Sequence, residues 1–185
     1  MTRIWLVRHG LTTAVSGVAI GSSNPPLSDR GIVQARRLAD DLAGRPLARV
    51  WSSDLERALT TAHAIAAPHN LVVEATRALR EIDFGAWEGR ALADLWQEDP
   101  AAAKTWEGDF RATPPSFGDS VLDLERRVES FWRSIEASAA GSEIVVVGHR
   151  GSLAALRVVI TGEPVADAFA GGLSPAEAVM VVAKA

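Results

Sequence analysis

A chain of 185 residues with 48% hydrophobic residues can bury one sizeable core, and its length favours a single domain over residues 1–185. The formal net charge of −4 gives no overall positive surface for nucleic acid or an anionic membrane, and there is no cysteine for disulfides, thiolate catalysis or sulfur-ligated zinc. The N-terminal sequence meets polar residues too early for a secretory signal, and no apolar run approaches the roughly 20 residues of a membrane-spanning helix. We therefore predict a soluble, cytoplasmic protein.

The first part of the chain alternates strand and helix patterns. RIWLV (3–7) predicts a strand that is buried on both faces. Residues 28–44 predict an amphipathic helix, with Ser28 as its N-cap and Gly44 as its stop. LARVWSSD (47–54) then predicts a short strand that runs into a turn.

The same alternation continues to residue 183. The remaining predicted elements are a helix at 55–67 ended by Pro68, a strand at 71–75, a long helix at 119–141 capped by Asp119 or Ser120, a strand at 143–147, a helix at 151–162 and a last strand at 177–183. Strands that alternate with helices imply right-handed crossovers and a sheet covered on both faces. We predict an α/β fold, a three-layer αβα sandwich with a mostly parallel central sheet.

Residues 85–118 have a less regular pattern, rich in Trp, Pro and acidic residues, and are long for a simple connection. We predict an insertion that forms a lid or a pocket wall, because long loops in compact domains are often functional. Its aromatic residues could line an apolar wall or stack on a flat base of a substrate, although at least half of them are expected to be core: Trp87, Trp96, Trp106 and Phe117.

Two of the apolar strands end in similar residues. LVRHG places Arg8 and His9 before a glycine, and VVVGHRG places His149 and Arg150 between two glycines. If both strands are parallel in one sheet, both histidines lie at the same edge, where such sheets bind ligands. A single histidine is more often a hydrogen-bonded structural residue, but two such endings, each with an adjacent arginine, indicate a site.

Two further segments carry candidate residues. Arg57 lies near the start of a helix, where the helix dipole disfavours a cation, so a bound anion would explain it; taken alone, a surface arginine is the commoner case. LREIDFGAWEG (79–89) places Glu81 and Asp83 among aromatic residues and glycines, a setting in which a carboxyl group can donate a proton. The alternative is a loop whose aromatic residues cover an edge of the core.

These features together resemble the histidine phosphatase superfamily, the phosphoglycerate mutase-like group, over most of the chain. Five motifs in the same order carry the resemblance: RHG at 8–10, GSSNPPLSDRGIVQA at 21–35, SSDLERALTTA at 52–62, LREIDFGAWEG at 79–89 and VVVGHRG at 145–151. RHG alone would be a weak signal, whereas the ordered set is specific. The resemblance implies a phosphoglycerate mutase-like fold.

The resemblance also implies a mechanism in which His9 attacks the phosphorus of a phosphomonoester and becomes transiently phosphorylated. Three side chains would hold the phosphoryl oxygens: Arg8, Arg57 and His149. Glu81 would be the general acid, with Asp83 as the fallback for that role. The family mechanism requires no metal ion and no cofactor.

The chain departs from the family pattern directly after RHG. Many members have a polar or acidic residue at the position of Leu11 and an asparagine at the position of Val15. One phosphate contact is therefore missing or supplied by another group, and the Thr12 or Thr13 hydroxyl is a candidate. Gly21 is a further expected phosphate-binding residue.

The expected substrate is a small phosphorylated metabolite. The short chain is similar to the phosphatase members, and LREIDFGAWEG with PPSFGDSVLDLERRV resembles α-ribazole phosphatases of cobalamin synthesis, although Asp119 replaces the usual Glu and broad-specificity phosphatases share much of this pattern. The alternatives are a phosphoglycerate mutase and a non-catalytic domain that binds phosphorylated ligands or protein partners. The sequence does not fix the oligomeric state, for which a homodimer is one alternative.

Overall fold

A computed structural model describes residues 1–98, 100–101, 104–105, 109, 111 and 117–183. Within them lies one sheet of five strands, which are β1 (Thr2–Arg8), β2 (Leu47–Ser53), β3 (Val73–Thr76), β4 (Glu143–Gly148) and β5 (Ala178–Ala183). Their order across the sheet is β3-β2-β4-β1-β5. The first four strands are parallel, and β5 pairs with β1 in the antiparallel direction.

The helices of the described residues connect these strands. They are α1 (Asp29–Leu42), α2 (Glu56–Ala66), α3 (Leu92–Glu98), α4 (Val121–Ala139), α5 (Arg150–Thr161) and α6 (Val165–Ala170), with short 3-10 turns at Ala67–His69, Arg77–Leu79 and Gly85–Trp87. Ser28 caps α1 by accepting from the N–H of Gly31 at 3.1 Å. Ser120 caps α4 in a reciprocal capping box with Asp123, which decides between the two predicted caps of this helix.

Both faces of the sheet are apolar, because successive residues of a strand point to opposite sides. Ile4, Leu6, Ile144 and Val146 pack on one side with α4 and α5. The other side buries a second set of side chains with α1 and α2: Val7, Val50, Val145 and Val147. The predicted three-layer α/β fold with a mostly parallel sheet is confirmed.

β1 and β4, the strands that precede the two histidines, are neighbours at the centre of the sheet. Their register pairs Val7 with Val147 and Arg8 with Gly148, so the two strands end side by side. The backbone N–H of His9 continues the pairing by donating to the Gly148 carbonyl at 3.1 Å. This register confirms the expectation that both histidines lie at the same edge of the sheet.

The differences from the predicted elements are local. β3 begins at Val73 rather than at residue 71, because its pairing with β2 starts at Val73, and Val72 before it is 82% exposed. Helix α6 was not predicted, because its six residues are too few to show a helical repeat. About a third of the predicted insertion, including Trp106, lies outside the described residues, so the lid stays a prediction. No helix in the described part of the chain is long and apolar enough to span a membrane.

Candidate active site

His9 and His149 face each other at the carboxyl edge of the sheet. Their ring centroids are 5.0 Å apart and the ring planes cross at 60°. Both residues are buried, at 7% and 1% exposure. Around them lie the other main residues that the sequence singled out: Arg8, Arg57 and Glu81.

The orientation of the His9 ring is fixed by its own loop. Nδ1 lies 2.7 Å from the Gly10 carbonyl oxygen, which can only accept, so Nδ1 carries the proton and donates it. Nε2 is therefore the nitrogen with a free lone pair in the neutral ring. Burial lowers the pKa of His9 to about 3, the hydrogen bond to Gly10 opposes this, and the charges of Arg57 and Arg8 add to the lowering. The imidazole is thus neutral near pH 7, the form that acts as a nucleophile.

His149 is held at both ring nitrogens. The Arg57 Nε–H donates to Nδ1 at 3.2 Å, so the proton of the neutral ring is on Nε2, which donates to the Ser53 hydroxyl at 2.9 Å. Burial lowers the pKa of His149 well below its ordinary value, and the neighbouring His9 ring and the charges of Arg57, Arg8 and Arg127 act in the same direction. Ser53, itself fully buried, is a contact that the sequence analysis did not single out.

Arg57 is a buried cation, 1% exposed, in the first turn of α2. Besides its bond to His149, it donates from NH1 to the Ser23 carbonyl at 2.6 Å and from NH2 to the Gly21 carbonyl at 3.0 Å. Because a guanidinium carries five N–H groups, two remain for a ligand. This arrangement agrees with the expectation that a bound anion explains a cation at the start of α2.

Arg8, the last residue of β1, brings a second guanidinium to the cavity. Its NH1 donates to the Leu173 carbonyl at 2.7 Å, and its Nε is buried with no hydrogen-bond partner among the described residues. Burial lowers the pKa of Arg8, Glu81 opposes that shift and Arg150 adds to it. The end of the cavity is therefore rich in positive charge and in unused N–H groups, as an oxyanion site requires.

Glu81 lies opposite these cations and contacts the start of α5. Its Oε1 accepts from the backbone N–H groups of Ile82 (3.0 Å), Gly151 (3.0 Å) and Ser152 (3.2 Å), and Oε2 accepts from Gly151 at 3.1 Å. A Cβ atom at position 151 would lie 2.5 Å from Oε1, so this close approach requires glycine. The carboxyl group is thus fixed by backbone, at the cavity wall.

The cavity that contains these groups has a volume of about 420 Å³. Its charged and polar end holds Arg8, His9, Arg57, Glu81 and Arg150, and Thr12 lines it as well. The rest of its wall is mainly apolar: Leu11, Ala14, Val15, Val18, Ala19, Ile20, Phe84, Leu92 and Pro175. No group of three or more histidine, aspartate or glutamate side chains in the described residues is arranged to hold a metal ion.

Four of the expected residues lie outside this wall as described: Thr13, Gly21, Asp83 and His149, which contacts Arg57. Asp83 accepts from the Gly85 N–H at 2.8 Å, so its carboxylate is used within its own loop. Glu81 is the carboxyl group that lines the cavity. Gly21 gives its carbonyl to Arg57 and its N–H to Glu88 at 2.8 Å, so it contacts the site through Arg57. Trp87 and Trp96 pack on each other, with ring centroids 5.8 Å apart, and Phe117 is 99% exposed.

Sequence reasoning also missed residues that hold the site from behind. Arg127 of α4 donates to the carbonyls of Arg77, Ala78, Arg80 and Glu81 at 2.9–3.2 Å and so fixes the segment that carries the Glu81 carboxyl. Glu88 binds the loop that holds Arg57. Glu88 is part of the quoted LREIDFGAWEG motif, but its partners are more than 60 residues away in sequence, so no local pattern reveals them.

The neutral state of His9 predicts a pH effect on stability. In the unfolded chain this histidine titrates near its ordinary pKa of about 6.5, whereas in the folded chain its pKa is about 3. Below pH 6.5 the unfolded state therefore binds a proton that the folded state does not, and stability falls as the pH falls. Between pH 7.5 and 5 the loss is about 2 kcal/mol. We expect His9→Asn to lack this part of the loss in urea unfolding; parallel stability curves for the two proteins would contradict the burial argument.

Comparison with known proteins agrees with this geometry. The sequence model of the histidine phosphatase superfamily (branch 1) matches residues 4–184. The chain belongs to this superfamily. The resemblance inferred from the sequence is confirmed, and so is the expectation, at the level of the family, that the chain is a phosphoric monoester hydrolase.

Individual members of the histidine phosphatase superfamily are similar over most of their length. The adenosylcobalamin/α-ribazole phosphatase of Escherichia coli (strain K12) is 36% identical over 163 residues, which cover 88% of this chain and 80% of that protein. The glucosyl-3-phosphoglycerate phosphatase of Mycolicibacterium vanbaalenii is 34% identical over 171 residues, covering 88% and 76%. The crystal structure of the α-ribazole phosphatase from Shigella flexneri superposes with a TM-score of 0.87 at 32% identity, covering 96% of this chain and 89% of that one.

Proposed function

We propose that this histidine phosphatase is a metal-independent phosphomonoester hydrolase in which His9 is the nucleophile. The observation that carries the proposal is the hydrogen bond from His9 Nδ1 to the Gly10 carbonyl at 2.7 Å. It leaves Nε2 as the unprotonated nitrogen, in a cavity that also contains two guanidinium groups and a carboxyl group. A binding domain would need the cations but would have no use for the carboxyl group of Glu81.

The reaction would proceed in two displacements. His9 Nε2 forms a bond to phosphorus as the ester P–O bond breaks, and the departing alkoxide takes a proton from the Glu81 carboxyl group. A water molecule then attacks the phosphohistidine and gives a proton to Glu81, which returns the enzyme to its starting state and releases inorganic phosphate. The buried strand β1 holds the nucleophile in place before the substrate arrives.

The phosphoryl oxygens would be held by Arg8, Arg57, His149 and Thr12. The two arginines offer N–H groups that their protein partners leave free. His149 accepts from Arg57 at Nδ1 and has its proton on Nε2, on the side of Ser53. Donating from Nδ1 to a phosphoryl oxygen therefore requires the proton to move to Nδ1 and the Arg57 Nε–H to give up its bond to that nitrogen, after which the Ser53 hydroxyl donates to Nε2. Thr12 lines the cavity, and its hydroxyl would replace the amide that is missing because Val15 stands at the position of the family's asparagine.

The shape of the cavity suggests the class of substrate. Beyond the charged end the wall is mainly apolar, and Phe84 and Leu92 supply large side chains to it. Such a wall suits a phosphate monoester whose alcohol part ends in a flat, apolar group. Together with the similarity to α-ribazole phosphatases, this makes α-ribazole phosphate the first candidate substrate. Leu92, which lies in the predicted insertion, lines this cavity.

The experiment that tests this proposal is phosphate release in the presence of a chelator, measured over a panel of esters. The panel contains α-ribazole phosphate, glucosyl-3-phosphoglycerate, 3-phosphoglycerate and a small aromatic phosphomonoester. We expect release from the aromatic ester and the highest kcat/KM for α-ribazole phosphate. Transfer of phosphate between positions of 3-phosphoglycerate that exceeds its release would instead favour the mutase alternative. Binding of all four esters without turnover would favour the non-catalytic alternative.

A further inference from the structure

Glu88 is a charged residue that the proposed reaction does not use. It follows the 3-10 turn Gly85–Trp87. Its carboxylate accepts from the backbone N–H groups of Gly21 (2.8 Å), Ser22 (3.3 Å) and Ser23 (2.9 Å), and also from the Ser23 hydroxyl. One carboxylate thus binds three consecutive N–H groups, so it fixes the conformation of residues 21–23, which we term the arginine loop.

The arginine loop contacts Arg57 with its other side. The carbonyl of Gly21 accepts from NH2 of Arg57 at 3.0 Å, and the carbonyl of Ser23 accepts from NH1 at 2.6 Å. The N–H groups of the loop therefore point to Glu88 and its carbonyls point to the guanidinium. The peptide dipoles of the loop therefore lie between the Glu88 anion and the Arg57 cation. In this arrangement the charge of Glu88 strengthens the hydrogen bonds that Arg57 donates to the loop, and the charge of Arg57 strengthens those that Glu88 accepts from it.

The arginine loop has little room to move. A Cβ atom at Gly21 would lie 2.0 Å from the Ile82 carbonyl oxygen, so the loop packs directly on the segment that also carries Glu81. The charge of Glu88 also acts on Arg57 itself: burial lowers the pKa of Arg57, and Glu81 and then Glu88 oppose that shift. Glu88 thus acts on both the position and the charge of the guanidinium.

We propose that Glu88 is a positioning residue for phosphate binding, which acts through the arginine loop to aim the two free N–H groups of Arg57 at the phosphoryl group. The inference rests on the proposed function, because it assigns Arg57 to the phosphoryl oxygens. Without the carboxylate, three N–H groups lose their acceptor, and the two carbonyls that orient Arg57 lose their support. The expected result is weaker phosphate binding without loss of the fold.

The test compares wild type with Glu88→Gln, Arg57→Ala and the double variant. Inorganic phosphate is the probe, measured both as an inhibitor of ester hydrolysis and by calorimetric binding. In Glu88→Gln we expect the dissociation constant of inorganic phosphate and the KM of the ester each to rise by about tenfold. In the Arg57→Ala background the same substitution should add almost nothing, because its route to the phosphate is already removed. Glu88→Asp, which keeps the charge, should recover part of the affinity.

A matched control is Glu143→Gln, at the opposite end of β4. Glu143 is also a buried carboxylate, 3% exposed, and accepts from Arg3 at 2.7 Å and from Trp5 at 2.9 Å. It should lower stability while leaving phosphate affinity unchanged, so a general loss of stability is separated from a loss of positioning. Unchanged phosphate binding in Glu88→Gln, or an equal loss of phosphate affinity with and without Arg57, overturns the role of Glu88 but leaves the proposed function standing. A wild-type chain that neither binds phosphate nor hydrolyses any ester overturns the proposed function and this inference with it.

Discussion

Replacing His9 with alanine is expected to reduce phosphate release by at least about 10⁴-fold, as is typical when an enzyme loses its nucleophile. The reason is that Nε2 of His9 carries the free lone pair of the neutral ring, and this ring lines the same cavity as the guanidinium groups of Arg8 and Arg57. The measurement is the steady-state rate of phosphate release in chelator, with circular dichroism to show that the variant is folded. Mass spectrometry of enzyme quenched during turnover should find a phosphoryl group on His9 in wild type.

The matched control for this loss is His63→Ala, which removes an exposed histidine from α2. Its activity should equal that of wild type. His9→Asn is a second variant, since asparagine preserves a polar side chain of similar size and guards against a simple packing defect. Phosphorylation of another residue in His9→Ala, with activity retained, would show that the nucleophile has been wrongly assigned.

Replacing Glu81 with glutamine should produce a loss that depends on the ester. For an alkyl phosphate the leaving alkoxide is a strong base and needs a proton, so we expect kcat/KM to fall by about 10²–10⁴-fold. For an aryl phosphate, whose phenolate leaves without needing a proton, the fall in the rate of the first displacement should be far smaller. Rates for a series of esters with leaving groups of increasing basicity measure this dependence directly.

Two features of the structure make this substitution a clean test. Glutamine keeps an amide oxygen that can accept from Ile82 and Gly151, so the contact with the start of α5 is largely preserved. Asp83→Asn is the control, because that carboxylate binds the Gly85 N–H outside the cavity wall, so the effect of this substitution on the rate should not depend on the leaving group. Equal losses for alkyl and aryl esters in Glu81→Gln would mean that Glu81 orients α5 and does not donate the proton.

The sequence predicted the parts of the site that follow from strand endings. His9 and His149 each follow an apolar run, and parallel strands that end together bring such residues to one edge. The roles of Arg57 and Glu81 came from the resemblance, because neither a helix start nor an aromatic-rich loop fixes where a side chain points. The structure adds that Arg57 contacts His149 at 3.2 Å and that Glu81 lies against Gly151.

The supporting contacts could not be predicted from local patterns. Ser53 meets His149 across 96 positions of sequence, and Arg127 meets Glu81 across 46. The first pair depends on β2 and β4 being neighbours in the sheet, and the second depends on how α4 packs on the segment with Glu81. The N–H of Gly21 illustrates the limit: its place in the motif suggested a phosphate contact, while the structure directs it to Glu88.

The central position of β1 and β4 has a consequence for how the molecule opens. Each of these strands has a partner on both sides, and residues 144–147 of β4 are fully buried. Backbone amides in such strands exchange with solvent chiefly when the whole chain unfolds, whereas edge strands and loops open locally. The two histidines are therefore anchored to the slowest-exchanging part of the protein. Fraying of β3 at the periphery leaves the spacing of the two histidines intact but loosens the segment with Glu81 that follows this strand, so heating should displace the proton donor before it separates the histidines.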